Sequence, residues 1–157
     1  IRISSAPGQG TTVQLVLPQC QPEVLSVTET VGADVGGGGL VLLVEDDPAV
    51  RRVVRQQLVA LGCVVVEADN GAQALQLADA VPDIALVLTD MVMPGGINGR
   101  QLIELLRQRR PGVGVVLMSG YAEGLDQAAG DAVVMLDKPF SSDELALALE
   151  RARKEVT

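Results

Sequence analysis

Four apolar runs of this 157-residue chain end in side chains that can do chemistry. Glu45 and Asp46 follow "LVLLV", Asp90 closes "IALVLTD", Ser119 closes "VGVVLMS" and Lys138 closes "AVVMLDK". Taken singly, each has an ordinary explanation. An Asp at a strand end is commonly a turn former or helix cap, Ser before Gly is a turn dipeptide, Glu45 could be a solvated strand end and Lys138 a surface residue before Pro139. Taken together they are three carboxylates, a hydroxyl and an ammonium at corresponding places along the chain. Three carboxylates within about 4 Å repel by about 1 kcal/mol per pair in water and by about 4 at the effective dielectric of a protein surface. Their convergence therefore calls for positive charge. The lysine supplies part of it. An all-oxygen acidic site also suits a hard cation, and Mg²⁺ takes one or two carboxylates together with waters and phosphate oxygens. The chemistry this set supports is metal-assisted phosphoryl transfer. There is no histidine in the chain, so that chemistry has to run on carboxylates, hydroxyls and lysine.

These residues need a scaffold that brings strand ends together. Five short apolar runs, 40–45, 63–68, 84–90, 113–119 and 132–138, are continuous rather than alternating, as strands buried on both faces of a parallel sheet are. Helical segments separate them. Asp47 and Pro48 suit the cap and first position of a helix carrying Val50, Val53, Val54 and Leu61 and stopped by Gly62. Asn70 and Asn98 cap the second and third helices, and Leu102, Leu105 and Leu106 set an apolar face opposite polar residues. Ser141 and Glu144 have capping-box spacing at the start of the last helix, which stacks Leu145, Leu149 and Ala152. The fourth connection, "YAEGLDQAAGD", is broken by Gly124 and Gly130, so a brief helix is expected there. Strands alternating with helices predict an α/β doubly wound sheet with right-handed crossovers. In such a sheet, ligands sit beyond the carboxyl ends of the strands where strand order reverses, which is where all five polar residues fall.

Composition excludes several functions. A net charge of −8 repels nucleic acid, and one Phe, one Tyr and no Trp leave no stacking platform for single strands. No apolar run approaches the roughly 20 residues that span a bilayer, so no membrane contact by this chain is expected. Cys20 and Cys63 form no metal-spaced cluster and suit reduced thiols in the cytoplasm. Residues 19–39, ending in four glycines, read as a flexible linker, which divides the chain into segments 1–18, 19–39 and 40–157.

Residues 40 to about 155 closely resemble the receiver (phosphoacceptor) domain of bacterial two-component response regulators, through "VEDD", "TDMVMPGG..G", "MSG" and "DKPF". The resemblance implies a flavodoxin-like five-stranded parallel sheet of order 2-1-3-4-5 with helices on both faces. It also implies roles. Asp90 is the phosphoacceptor. Asp46, Asp90 and the Val92 carbonyl bind Mg²⁺, and Glu45 acts on the metal through water. Ser119 holds one phosphoryl oxygen and Lys138 another, with Pro139 setting its turn. Two departures stand out. Met135 occupies the place of an aromatic switch residue, and "PGGING" is one residue longer than the common loop, a variant associated with receivers attached to sensor kinases. The short, glycine-broken fourth connection also departs from the usual dimer face built from the fourth helix, fifth strand and fifth helix.

The first segment, "IRISSAPGQGTTVQLVLP", resembles the closing β-hairpin of a histidine-kinase ATP-binding domain, although "GQGTT" is no P-loop and the stub cannot bind nucleotide by itself. The order of hairpin, linker and receiver resembles the C-terminal part of a hybrid sensor histidine kinase. The expected partners are the kinase domain of the same chain and a histidine phosphotransfer domain, with a homodimer left open. The location is cytoplasmic, with a parent protein that is a histidine kinase and can be membrane-anchored. By this reading the chain is a phosphoacceptor rather than a conventional enzyme. Two rival readings fit the residues less well. An aspartate-nucleophile phosphohydrolase of the haloacid-dehalogenase type needs a second Asp two residues after the first, where "EDDP" has Pro48 after Asp46. A pseudo-receiver binding module would lack phosphoacceptor side chains that are all present here.

Overall fold

The computed structural model describes residues 2–6, 8, 10–14, 39–94, 96–120 and 133–155. The chain divides into two compact units, 1–33 and 34–157. In the first, β1 (Arg2–Ala6) and β2 (Gly10–Gln14) pair antiparallel with Arg2 opposite Gln14 and Ala6 opposite Gly10. Gly8 and Gly10 at the turn have φ of 73° and 80°, the left-handed region that glycine enters without steric cost. The expected linker, apart from Gly39, and the expected fourth helix lie outside the described residues, as does Cys20.

The second unit is built on β3 (Leu40–Val44), β4 (Val64–Ala68), β5 (Ile84–Asp90), β6 (Gly114–Ser119) and β7 (Val134–Asp137). Their order is β4-β3-β5-β6-β7 and every pairing is parallel. Counted within this unit that is 2-1-3-4-5, so strand order reverses between the first and third strands. Because successive strand residues point to opposite faces, the apolar runs feed two cores at once. Val41, Leu43, Leu86, Leu88, Val116 and Met118 face one core. It is completed by α1 (Pro48–Ala60) and α4 (Ser142–Lys154) through Val54, Leu58, Leu145 and Leu149. Leu42, Val44 and Val87 face the other, which α2 (Gly71–Ala80) and α3 (Gly99–Arg109) complete through Ala74, Leu75, Leu102 and Leu106.

The expectation of five strands buried on both faces holds for β3, β5 and β6 and needs correction at the margins. The edge strand β4 leaves Val64 exposed, and β7 alternates buried Val134 and Leu136 with exposed Met135 and Asp137. These edge strands have a sheet neighbour on one side only. The caps form as the local signals require. Asp47 Oδ1 accepts the Ala49 and Val50 amides at 2.7 and 3.2 Å, and Asn70 accepts the Gln73 amide at 2.8 Å. Both Asn98 with Gln101 and Ser141 with Glu144 close reciprocal capping boxes. In α1, Val54 and Leu58 are buried in the core and Val50 packs partly buried against it, as does Leu61 at the helix end, whereas Val53 is exposed. Ile103 joins the buried face of α3, on which Leu105 is only half-buried.

Candidate functional site

The parallel sheet delivers the predicted side chains to one rim. Asp90 and Ser119 are the last residues of β5 and β6, Glu45 and Asp46 follow β3 directly, and Lys138 follows β7. Since β3, β5, β6 and β7 are consecutive neighbours, their carboxyl ends lie side by side.

The acids converge. Glu45, Asp46 and Asp90 each place a carboxylate oxygen within 4.8 Å of the others. The Lys138 ammonium donates to Glu45 Oε2 at 2.7 Å and lies 2.9 Å from Asp90 Oδ1. Asp90 Oδ1 also accepts the Met91 amide at 2.9 Å. Asp90 is thus oriented from two sides. The Lys138 amide donates to the Ser119 carbonyl at 2.7 Å, which ties the ends of β6 and β7, and the Lys138–Pro139 peptide is cis. Val92 lies exposed in the loop that follows Asp90. An open cavity lined by Asp46, Asp69, Asn70, Gly71, Pro94 and Ile97 adjoins the rim.

Electrostatics make the site unbalanced. Three carboxylates against one ammonium sum to −2, the charge a divalent cation offsets. Burial pushes the Glu45 carboxyl above its ordinary range, the Asp90 charge adds to the push, and the hydrogen bond from Lys138 only partly restores it. Burial pulls the Lys138 ammonium the other way, but its hydrogen bonds to Glu45 and Asp90 outweigh this and leave its pKa raised. Lys138 therefore stays charged, while Glu45 gives up its proton less readily than a free carboxyl does. Hard oxygens, an excess negative charge and an adjoining cavity fit a divalent cation. Glu45 Oε2 accepts from Lys138 at 2.7 Å and Oε1 accepts the Asp47 amide at 3.3 Å.

Three residues to which the sequence reading gave no role of their own also shape the rim. Arg51 Nη1 donates to the carbonyls of Glu45 at 2.7 Å and Asp46 at 3.4 Å, while its Nε lies 3.6 Å from Glu67 on β4. It fixes the loop that presents both acids. Gly99 opens α3 against Asp90, and a Cβ there would lie 2.1 Å from the Asp90 carbonyl oxygen. Asp137 accepts the Ser119 hydroxyl at 2.7 Å. Their contacts are not local, since an Arg on a helix, a Gly after a capping Asn and an Asp before a Lys each read as surface or turn residues when taken alone.

Residues 41–150 match the family model described as the response regulator receiver domain. The chain is 33% identical to the sensor kinase CckA of Brucella abortus over 93% of its own length, which is 17% of that kinase. It is 35% identical to the DNA-binding transcriptional regulator NtrC of Escherichia coli over 73% of its length, which is 24% of that regulator. The chain thus spans less than a quarter of either relative. Among solved structures, it superposes on the receiver domain of NtrX from Brucella abortus with a TM-score of 0.66 and 27% identity, covering 73% of this chain and 98% of that one.

Proposed function

The chain belongs to the response regulator receiver family, and on that premise we propose that it takes a phosphoryl group from a phosphohistidine onto Asp90. The observation that carries this reading is Lys138 bridging Glu45 and Asp90 at the rim of the sheet. A carboxylate is a weak nucleophile, but phosphoryl transfer asks mainly for in-line positioning and for neutralisation of the equatorial oxygens. An oxygen of Asp90 attacks phosphorus, the P–N bond breaks with its electron pair going to the imidazole, and the imidazole takes up a proton from solvent. Asp46, Asp90 and the Val92 carbonyl would hold Mg²⁺, with Glu45 acting through water. When bound, the cation supplies charge neutralisation at the transferring oxygens. Lys138 pairs with one phosphoryl oxygen and Ser119 donates its hydroxyl to another. The acyl phosphate adds charge and acceptor oxygens to the rim, and the resulting rearrangement is the signal.

The context we propose is the C-terminal part of a hybrid histidine kinase, with segments 1–18, 19–39 and 40–157 as kinase remnant, linker and receiver. In support, the match to the sensor kinase runs through 93% of the chain, beyond the receiver, whereas that to the transcriptional regulator stops at 73%. The partners are then the kinase domain of the same chain and a histidine phosphotransfer domain, in the cytoplasm. Among the described residues no helix is long and apolar enough to cross a membrane.

Incubation with phosphoramidate or acetyl phosphate tests the assignment, with phosphoprotein resolved on a phosphate-affinity gel. Labelling is expected only with Mg²⁺ present, lost in Asp90→Asn and sharply weakened in Asp46→Ala. Unchanged labelling of Asp90→Asn would refute the role of Asp90.

A further inference from the structure

Ser119 and Asp137 are register partners on adjacent parallel strands, so their side chains lie next to each other on one face of the sheet. The Ser119 hydroxyl donates to Asp137 Oδ1 at 2.7 Å, the distance of an O–H donor on a charged acceptor. Ser119 is 4% exposed, whereas Asp137 is exposed on the edge strand β7. A serine hydroxyl has one proton to donate. A phosphoryl oxygen on Asp90 offers only acceptors, so Ser119 can bind it only by withdrawing that proton from Asp137.

We infer that Asp137 is a positioning residue, competing with the phosphoryl group for the single Ser119 proton and thereby setting how readily the phosphorylated arrangement is populated. The inference rests on the proposed role of Ser119 and goes beyond it, because it names what holds Ser119 before phosphorylation. Release is feasible because Asp137 stands where water can replace the hydroxyl, while buried Ser119 has to exchange one partner for another. Removing the competitor would favour the phosphoryl-bound form. Charge is a separate effect, since Asp137 also adds negative potential near an incoming phosphoryl group whether or not Ser119 is present. The test has to separate the two.

Beryllofluoride with Mg²⁺, a stable mimic of the phosphoryl group, serves as the probe, with bound fluoride read by ¹⁹F NMR and folding checked by circular dichroism. Asp137→Ala is expected to tighten the apparent beryllofluoride affinity about fivefold, roughly the net worth of one hydrogen bond. Asp137→Asn, which keeps a neutral acceptor, should fall between that variant and the unaltered chain. Ser119→Ala should weaken binding, and adding Asp137→Ala in that background should bring only the smaller gain that charge alone supplies, well short of fivefold. Unchanged or weaker binding by Asp137→Ala overturns the inference. So does an undiminished fivefold gain in the Ser119→Ala background, which would assign the effect to charge alone. If the unaltered chain and Asp90→Asn both fail to bind the mimic, the phosphoacceptor reading falls and the role of Asp137 falls with it.

Discussion

Gly99→Ala should damage the site through the backbone while leaving every functional side chain in place. A Cβ at position 99 would stand 2.1 Å from the Asp90 carbonyl oxygen, 2.9 Å from Leu117 Cδ1 and 3.0 Å from the Asp90 carbonyl carbon. Since Cβ atoms essentially never approach below 3.0 Å, the start of α3 and the end of β5 must part by at least 3.0 − 2.1 = 0.9 Å. Neither side yields easily. The Gly99 amide donates to the Met91 carbonyl at 3.1 Å, the Met91 amide donates to the Met118 carbonyl at 2.9 Å, and Leu117 is fully buried. Part of the displacement therefore reaches Asp90, whose carboxylate sits 2.9 Å from Lys138. Overpacking of this kind costs about 2 kcal/mol, and a misplacement of about 1 Å near reacting atoms costs about 10²-fold in rate. Gly114→Ala is the matched control, because its Cβ would meet the Ala152 carbonyl oxygen at 2.6 Å at the other end of β6, about 16 Å from Ser119. Urea unfolding should show comparable destabilisation in both variants, while the rate of phosphorylation by phosphoramidate drops in Gly99→Ala alone. An unaltered rate in folded Gly99→Ala, or an equal loss in both, would refute the steric argument.

Lys138→Ala removes the ammonium from Glu45 and Asp90 together, and should retain some phosphorylation while losing most of the phosphorylation-dependent change in the NMR spectrum. A full spectral response in that variant would count against the lysine as the reporter of the phosphoryl group. Arg110 donates to the carbonyls of Ala78 in the last turn of α2 and of Val81, Pro82 and Ile84 beyond it, so Arg110→Ala should cost about 2 kcal/mol in urea unfolding and leave the phosphorylation rate alone. Hydrogen bonds from the Ser141 amide and hydroxyl hold the Glu144 carboxyl below its ordinary range of 4.5. A depressed folded-state pKa gives stability that is present above the unfolded value and lost as pH falls through the folded one. Stability measured by urea unfolding should therefore fall more steeply in the unaltered chain than in Glu144→Gln as pH drops below about 4.5, and parallel curves would exclude the capping carboxylate as the source.

The described elements, and the charged and polar side chains that gather at the rim, were legible in the sequence because their causes are local. An apolar run, an Asp before Pro, or a Ser three residues before a Glu acts within a turn of its own position, and the caps at Asp47, Asn70, Asn98 and Ser141 form where those signals stand. Strand ends bearing charge were equally readable, and the parallel order then places them on one rim. Which face of an edge strand meets solvent was not readable, since Val64 and Met135 sit in runs as apolar as those of the central strands.

Partnerships across the fold lay beyond the sequence for the same reason. Lys138 meets Glu45 across 93 residues, Arg110 reaches the Ala78 carbonyl across 32, and Ser119 finds Asp137 across 18. Each depends on strand register and helix placement, which no window of neighbouring residues contains. The sequence by itself determined which chemical groups arrive at the rim and on which strands. Only the tertiary structure decided what each touches on arrival, including that the Ser119 proton already has an acceptor and that only a glycine fits beside Asp90, because these follow from distances between segments and not from their composition.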